Sequence, residues 1–181
     1  VKFMLNKELL EREKENTKTA VIYGQESISY MEMHNKAQTA MMKLSLRSRD
    51  SRSVGLFIHN NIKYIISYFS ISYAGKVIVP INPRIRANEL ISTIEYCELR
   101  VIVSDSANIG LLRKYLDKYT YKIEILNIDT MSFEGVGGNA VIPISEDDEL
   151  EDVALMLHTS GSLSAPKRVM LTHKNLISCA E

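Results

Sequence analysis

Val54-Gly-Leu-Phe-Ile-His-Asn-Asn-Ile-Lys-Tyr-Ile-Ile-Ser-Tyr-Phe-Ser-Ile-Ser-Tyr-Ala-Gly-Lys-Val-Ile-Val-Pro80 holds one complete strand, helix and strand in succession. Val54 to Ile58 carries no charge and has the length of a buried strand. Ile62, Ile65, Ile66, Phe69 and Tyr73 then recur three or four apart, which lines one face of a helix. That helix is predicted to stop at Ala74-Gly75, because glycine accepts the backbone conformation that ends helices. Val77-Ile-Val79 is the next strand, closed by Pro80, whose ring nitrogen has no hydrogen to donate.

The same alternation runs outward in both directions. Downstream, Ala87, Leu90, Ile91, Ile94 and Cys97 mark a helix, and Val101-Ile-Val103 a strand. Leu112, Tyr115, Leu116 and Tyr119 mark another helix, and Ile123 to Leu126 another strand. Upstream, Tyr30, Met33, Ala37, Met41 and Leu44 form a helical stripe that closes at the polar run Arg47 to Ser53. Before it, Val21-Ile-Tyr23 and Ser27-Ile-Ser-Tyr30 flank Gly24-Gln-Glu26 as a small hairpin. The expected fold class is therefore α/β, a Rossmann-like, mostly parallel sheet flanked by helices, with a small amino-terminal hairpin. Between Asp129 and Asp152 the pattern breaks down. Gly135, Gly137, Gly138 and the acidic run Glu146 to Asp152 predict a long irregular stretch, the acidic run as a solvated loop. Val153-Ala-Leu-Met-Leu157 resumes as a strand.

Composition narrows the function classes. Twenty-two Lys and Arg balance twenty-two Asp and Glu over 181 residues, so no net field favours nucleic acid or an anionic membrane. No apolar run approaches the length of a membrane span. Val1-Lys-Phe-Met-Leu5 runs straight into charged residues, which leaves no apolar centre for a secretory signal, and a cytoplasmic location is expected. Cys97 and Cys179 stand alone, with no CxxC and no His at ligand spacing, and are expected to be ordinary thiols with no metal site.

Thr159-Ser-Gly-Ser-Leu-Ser-Ala-Pro-Lys167 is the segment with chemical content. It follows a buried strand directly and combines hydroxyls, a glycine and a lysine. Glycine lets backbone N–H groups approach an anion, hydroxyls donate further hydrogen bonds, and lysine supplies a point charge for phosphoryl oxygens. It is not a Walker A loop: no second glycine precedes Lys167, and Arg168 follows it. Two accounts stand on these residues alone, a phosphate cradle or a polar turn between two strands.

Leu157-His-Thr-Ser-Gly-Ser-Leu-Ser-Ala-Pro-Lys-Arg-Val-Met-Leu-Thr-His173 closely resembles the AMP-binding signature of adenylate-forming enzymes. Ile28-Ser-Tyr-Met-Glu32 and Tyr73-Ala-Gly-Lys-Val-Ile-Val-Pro-Ile-Asn-Pro83 resemble two further elements of that family, in the expected order. The resemblance implies a two-step reaction: ATP-dependent activation of a small-molecule carboxylic acid through an acyl-adenylate, then transfer to a thiol. It implies ATP and Mg2+ as cofactors and coenzyme A or a carrier-protein thiol as acceptor. It also implies that Thr159, Ser160, Gly161, Ser162, Leu163, Ser164 and Lys167 form the loop that holds the β- and γ-phosphates, with no catalytic residue in this chain. A fatty-acid- or aryl-type acyl-CoA synthetase is expected, with a peptide-synthetase adenylation domain or a non-catalytic binding module as alternatives.

Departures from the signature are local. Leu163 stands where a small hydroxyl residue is usual, Ser164 replaces the second glycine, and Arg168 replaces a third and is expected to face solvent. His173 has no base or metal partner in sequence reach and is expected to be structural. The adenine-binding aromatic motif, the acidic residue for the ribose and the mobile domain with its catalytic lysine have no counterpart up to Glu181. Residues 1–181 are therefore expected to be the amino-terminal part of the large AMP-binding domain, inactive alone and prone to self-association through uncovered apolar surface.

Overall fold

The computed structural model describes residues 5–145, 150, 152–159 and 167–179. Helix α1 (Leu5–Arg12) precedes the antiparallel hairpin of β1 (Thr19–Tyr23) and β2 (Glu26–Ser29). Gly24 makes the turn at φ +61, a value open to glycine at little cost. Helix α2 (Tyr30–Arg47) begins on a reciprocal cap. The Ser29 hydroxyl accepts from the Glu32 N–H (3.2 Å), and the Ser29 N–H donates to Glu32 Oε2 (2.9 Å). Those bonds hold the Glu32 carboxyl below its ordinary range. The Ser and Glu of Ile28-Ser-Tyr-Met-Glu32 thus start a helix.

The main sheet has the order β7-β6-β5-β3-β4-β8-β9. Its strands are β3 (Ser53–Phe57), β4 (Val77–Pro80), β5 (Val101–Ser104), β6 (Lys122–Asn127), β7 (Ser132–Gly137), β8 (Val153–Thr159) and β9 (Lys167–Thr172). The ladders linking β6, β5, β3, β4 and β8 are parallel, while β7 and β9 are antiparallel to their neighbours. Helices α3 (Ile62–Tyr73), α4 (Ala87–Tyr96) and α5 (Ile109–Leu116) make the crossovers, and α6 (His173–Ser178) follows β9.

Strand alternation sorts the core into two layers. Val54, Leu56, Ile78, Val101, Val103 and Leu126 face α2 and α3, whereas Phe57, Val77, Val79, Ile102, Ile123 and Ile125 face α4 and α5. This follows from strand order. The step from β3 to β4 and the step from β4 to β5 run in opposite directions, so crossovers of one hand put their helices on opposite faces. Helix α3 ends as the sequence predicts: Gly75 at φ +68, its N–H on Ser72 O and that of Lys76 on Ile71 O.

One element was not predicted and one stretch differs from the sequence expectation. Leu5–Arg12 is a helix although its apolar residues are interrupted by charge. Between Asp129 and Asp152, Ser132–Gly137 is a strand, paired with β6 from Ser132↔Asn127 to Gly137↔Lys122. Gly137, at φ +84, and Gly138 lie against the carbonyls of Tyr121 and Thr120, where a Cβ would collide. They mark a close backbone approach where the sequence pattern points to a loose loop. Of the acidic run, residues 146–149 and 151 lie outside the described residues. Among the described residues, no helix is long and apolar enough to cross a membrane.

Candidate functional site

Two parallel strands aim the candidate loop. β8 lies beside β4 in the register Ile78↔Leu155, so the segments leaving β4 and β8 emerge at the same, carboxyl-terminal edge of the sheet. Parallel α/β sheets place ligands at this edge. After β4, Asn82 Oδ1 accepts from the Arg84 N–H (3.0 Å) and its carbonyl from the Ile85 N–H (2.9 Å), a turn that leads into α4. Pro80 to Pro83, the end of the family-like element Tyr73 to Pro83, therefore lies beside the exit of β8.

Beyond β8 the chain reverses into β9, with Leu157↔Val169, His158↔Arg168 and Thr159↔Lys167 as successive partners. Directly opposed residues of an antiparallel pair are about 4.5–5.5 Å apart at Cα. Thr159 and Lys167, at the two ends of the candidate segment, are thus brought together. Ser160, Gly161, Ser162, Leu163 and Ser164 lie outside the described residues, and so do the side chains of Thr159 and Lys167.

Arg168 is exposed, as expected, and also makes a contact that was not expected. Its guanidinium carbon sits 4.4 Å from the ring centre of Tyr96 at the end of α4. The cation lies over the ring, an attraction worth about 0.5–1 kcal/mol at exposed sites. The contact joins residues 72 positions apart in sequence, and no local pattern marks it. Next to it, burial pushes the Cys97 thiol up to about 11, against a smaller downward pull from Arg168. That keeps the thiol protonated and unreactive.

His173 opens α6 under a Thr172 and Asn175 capping box, and its N–H donates to Asp152 O (3.2 Å). Thr172 pairs with Val153, the first residue of β8, whereas the candidate loop follows the last. Six strand residues, roughly 20 Å, separate the two ends. His173 is remote from the loop.

Where strand order reverses, between β3 and β5, the carboxyl-terminal edge carries a polar cluster that no sequence pattern marks. Lys63 Nζ is 2.8 Å from Asp129 Oδ1, and the Ser106 N–H donates to Asp129 Oδ2 (2.9 Å). Asp105 Oδ1 accepts from both the N–H and Nδ2 of Asn108. Burial would raise the Asp129 carboxyl, but Lys63 and Ser106 outweigh it and hold it below its ordinary range. Lys63 is raised, chiefly by its hydrogen bond to Asp129. These groups satisfy one another. Among the described residues, no group of three His, Cys, Asp or Glu is placed to hold a metal ion.

Comparison with known proteins covers nearly the whole chain. The family described as AMP-binding enzyme matches residues 10–181. Zwittermicin A synthase ZmaJ of Bacillus cereus is 28% identical over 163 residues, 90% of this chain and 29% of that protein. Gramicidin S synthase 2 of Brevibacillus brevis is 27% identical over 92% of this chain and 4% of its own length. Among solved structures, O-succinylbenzoate coenzyme A synthetase (MenE) from Bacillus subtilis, in complex with AMP, superposes with a TM-score of 0.70. The identity is 16%, covering 94% of this chain and 43% of that one, a likeness of fold. The chain spans less than half the length of each of these proteins.

Proposed function

Since the chain belongs to the AMP-binding enzyme family, we propose that it supplies the phosphate loop of an ATP-dependent carboxylate-activating enzyme of the acyl-CoA ligase type. The observation that carries this is the Thr159↔Lys167 register, which opposes the two ends of the motif at the ligand-binding edge of the sheet. In the first step a carboxylate oxygen attacks the α-phosphorus of MgATP, and the bond to the β-phosphate oxygen breaks. Pyrophosphate leaves and acyl-adenylate remains. In the second step a thiolate attacks the acyl carbon, AMP leaves, and a thioester forms.

The loop acts on the leaving group. Thr159, Ser160, Gly161, Ser162, Ser164 and Lys167, with the backbone at Leu163, hold the β- and γ-phosphates through N–H groups, hydroxyls and one ammonium. Preorganised donors of this kind favour the charge that builds on pyrophosphate as the bond breaks. Mg2+ arrives with ATP as part of the substrate. The adenine, ribose and acyl contacts belong to the longer protein, because relatives extend well beyond the matched part. This chain is accordingly the amino-terminal part of the activating domain and does not form acyl-adenylates by itself.

A carrier-protein thiol is the second acceptor to consider, favoured by the names of ZmaJ and gramicidin S synthase 2. Offering the full-length protein coenzyme A or a pantetheinylated carrier separates the two. The loop itself is tested by pre-steady-state pyrophosphate release from that protein. Lys167→Ala removes a charge-assisted contact of roughly 1.5–3 kcal/mol and slows release by about one to two orders of magnitude, with melting unchanged. Leu163→Thr restores a hydroxyl and lowers the KM for MgATP. Parental release by a normally melting Lys167→Ala protein would sink the assignment.

A further inference from the structure

Strand β9, which carries the second arm of the candidate loop, ends the sheet and has its ladder with β8 on one side. Val169 and Met170 alternate along it and are both exposed. A strand with so little packing opens locally at low cost. Helix α4 is its opposite. Leu90 and Ile94 are buried in the layer that it shares with α5, and so are Cys97 and Leu99 directly after it. Its end is closed by the Cys97 N–H on Thr93 O and the Leu99 N–H on Ile94 O, both at 2.9 Å. Tyr96, between Ile94 and Cys97, thus stands on a fixed base, with part of its side chain open to the surface.

Arg168 joins the two. Its guanidinium carbon lies 4.4 Å from the centre of the Tyr96 ring, and in the ladder it faces His158, the residue before Thr159. It also follows Lys167 directly. Neighbouring Cα atoms are about 3.8 Å apart, so what fixes Arg168 limits the Lys167 backbone as well. Glycine, usual at this position in the signature that the segment resembles, has no side chain with which to reach α4.

Taking the loop's proposed role as the premise, we propose that Arg168 is a positioning residue: stacked on Tyr96, it holds the Lys167 arm of the loop in place before ATP arrives. Its part is preorganisation. An arm that is in place only part of the time binds MgATP more weakly by that fraction, whereas the maximal rate, reached once ATP has ordered the loop, is unchanged. A stack at an exposed site shifts such an equilibrium about two- to fivefold.

Pre-steady-state pyrophosphate release from the full-length protein, followed as MgATP is raised, separates half-saturation from maximal rate. Tyr96→Leu, Arg168→Gln and the double variant should each need about two to five times more MgATP for half-saturation, at the parental maximal rate. The double variant should be no worse than either single one, because the cycle cancels whatever else each side chain touches. Tyr96→Phe keeps the ring and should behave as the parent. If Tyr96→Leu does not fold, Arg168→Gln at its exposed position still decides. Single effects that multiply in the double variant would overturn the proposal, and so would parental half-saturation in Tyr96→Leu or Arg168→Gln. A lower maximal rate in Arg168→Gln alone would overturn it too, by placing the guanidinium on the phosphates themselves. Lys167→Ala tells the two levels apart. Slow release there beside a parental Tyr96→Leu protein removes only the positioning role, whereas parental release there removes the phosphate loop and this role with it.

Discussion

Strands β3 and β5 and the hairpin of β8 and β9 belong to one sheet but are built on different terms. Leu56 and Ile102, in the former, are 0% exposed, with helices on both faces. In the hairpin, Leu157 is 37% and Val169 42% exposed, and the two are partners across the ladder. Among the described side chains of the hairpin, Val153, Ala154 and Met156 are buried, all of them in β8. The centre of the sheet is therefore self-sufficient, whereas the hairpin that presents the candidate loop is covered on one side. Stability and the proposed chemistry are drawn from different strands.

Substitutions test how sharp that division is. Leu56→Ala should have the largest effect, about 2–5 kcal/mol by urea denaturation, because a cavity opens between α3 and the sheet. Tyr96→Leu removes the ring under Arg168 and should loosen β9 by about 0.5–1 kcal/mol, read as faster amide exchange at Val169 and Leu171. Tyr96→Phe keeps the ring and should exchange as the parent does. Equal exchange in all three would mean that α4 does not steady the hairpin.

Lys63→Met separates the two regions by pH. The Asp129 carboxyl is depressed, so its contribution is present above the ordinary carboxylate value of 3.8 and lost as pH falls through the folded value. Lys63 is raised, so its contribution is present below 10.5 and lost as pH rises through the folded value. Parent and variant should therefore differ by a constant amount between about pH 5 and 9, under about 1 kcal/mol for so exposed a pair. They should converge in acid. A difference that persists at pH 2 would assign the effect to the packing of the Lys63 stem. The smallest change is expected for Leu157→Ser, within about 0.5 kcal/mol. A loss comparable to Leu56→Ala would show that the hairpin face is covered after all, for example by a second copy, which sedimentation would detect.

The strand and helix steps from Val54 to Leu126 were legible because each element carries its own period, two or 3.6, and needs no distant partner to be recognised. The cap formed by Ser29 and Glu32 was not read in advance, although the two residues stand at the spacing of a helix cap. What escaped depends on contacts between distant residues. Ser132–Gly137 has glycine where alternation would be read, and it is a strand because β6 offers an unpaired edge. Leu5–Arg12 is a helix whose Leu10 is buried at 2% exposure in the α2 and α3 layer, a fact that no window of eight residues contains. At the candidate site, the sequence identified the residue types between Thr159 and Lys167. The register that opposes their ends, and the ring that Arg168 finds on α4, arise only in the folded chain.

That register constrains how the hairpin can change over evolutionary time. Side chains alternate along β9, so the loss of one residue between Val169 and Thr172 would turn Lys167 to the opposite face of the sheet and drive Val169 out of line with Leu157. Insertions between residues 160 and 166 carry no such penalty, because the paired stems on either side need not shift. Changes at the tip leave the ladder intact and are limited by ligand binding alone, while the count of residues in the arms is fixed by the ladder.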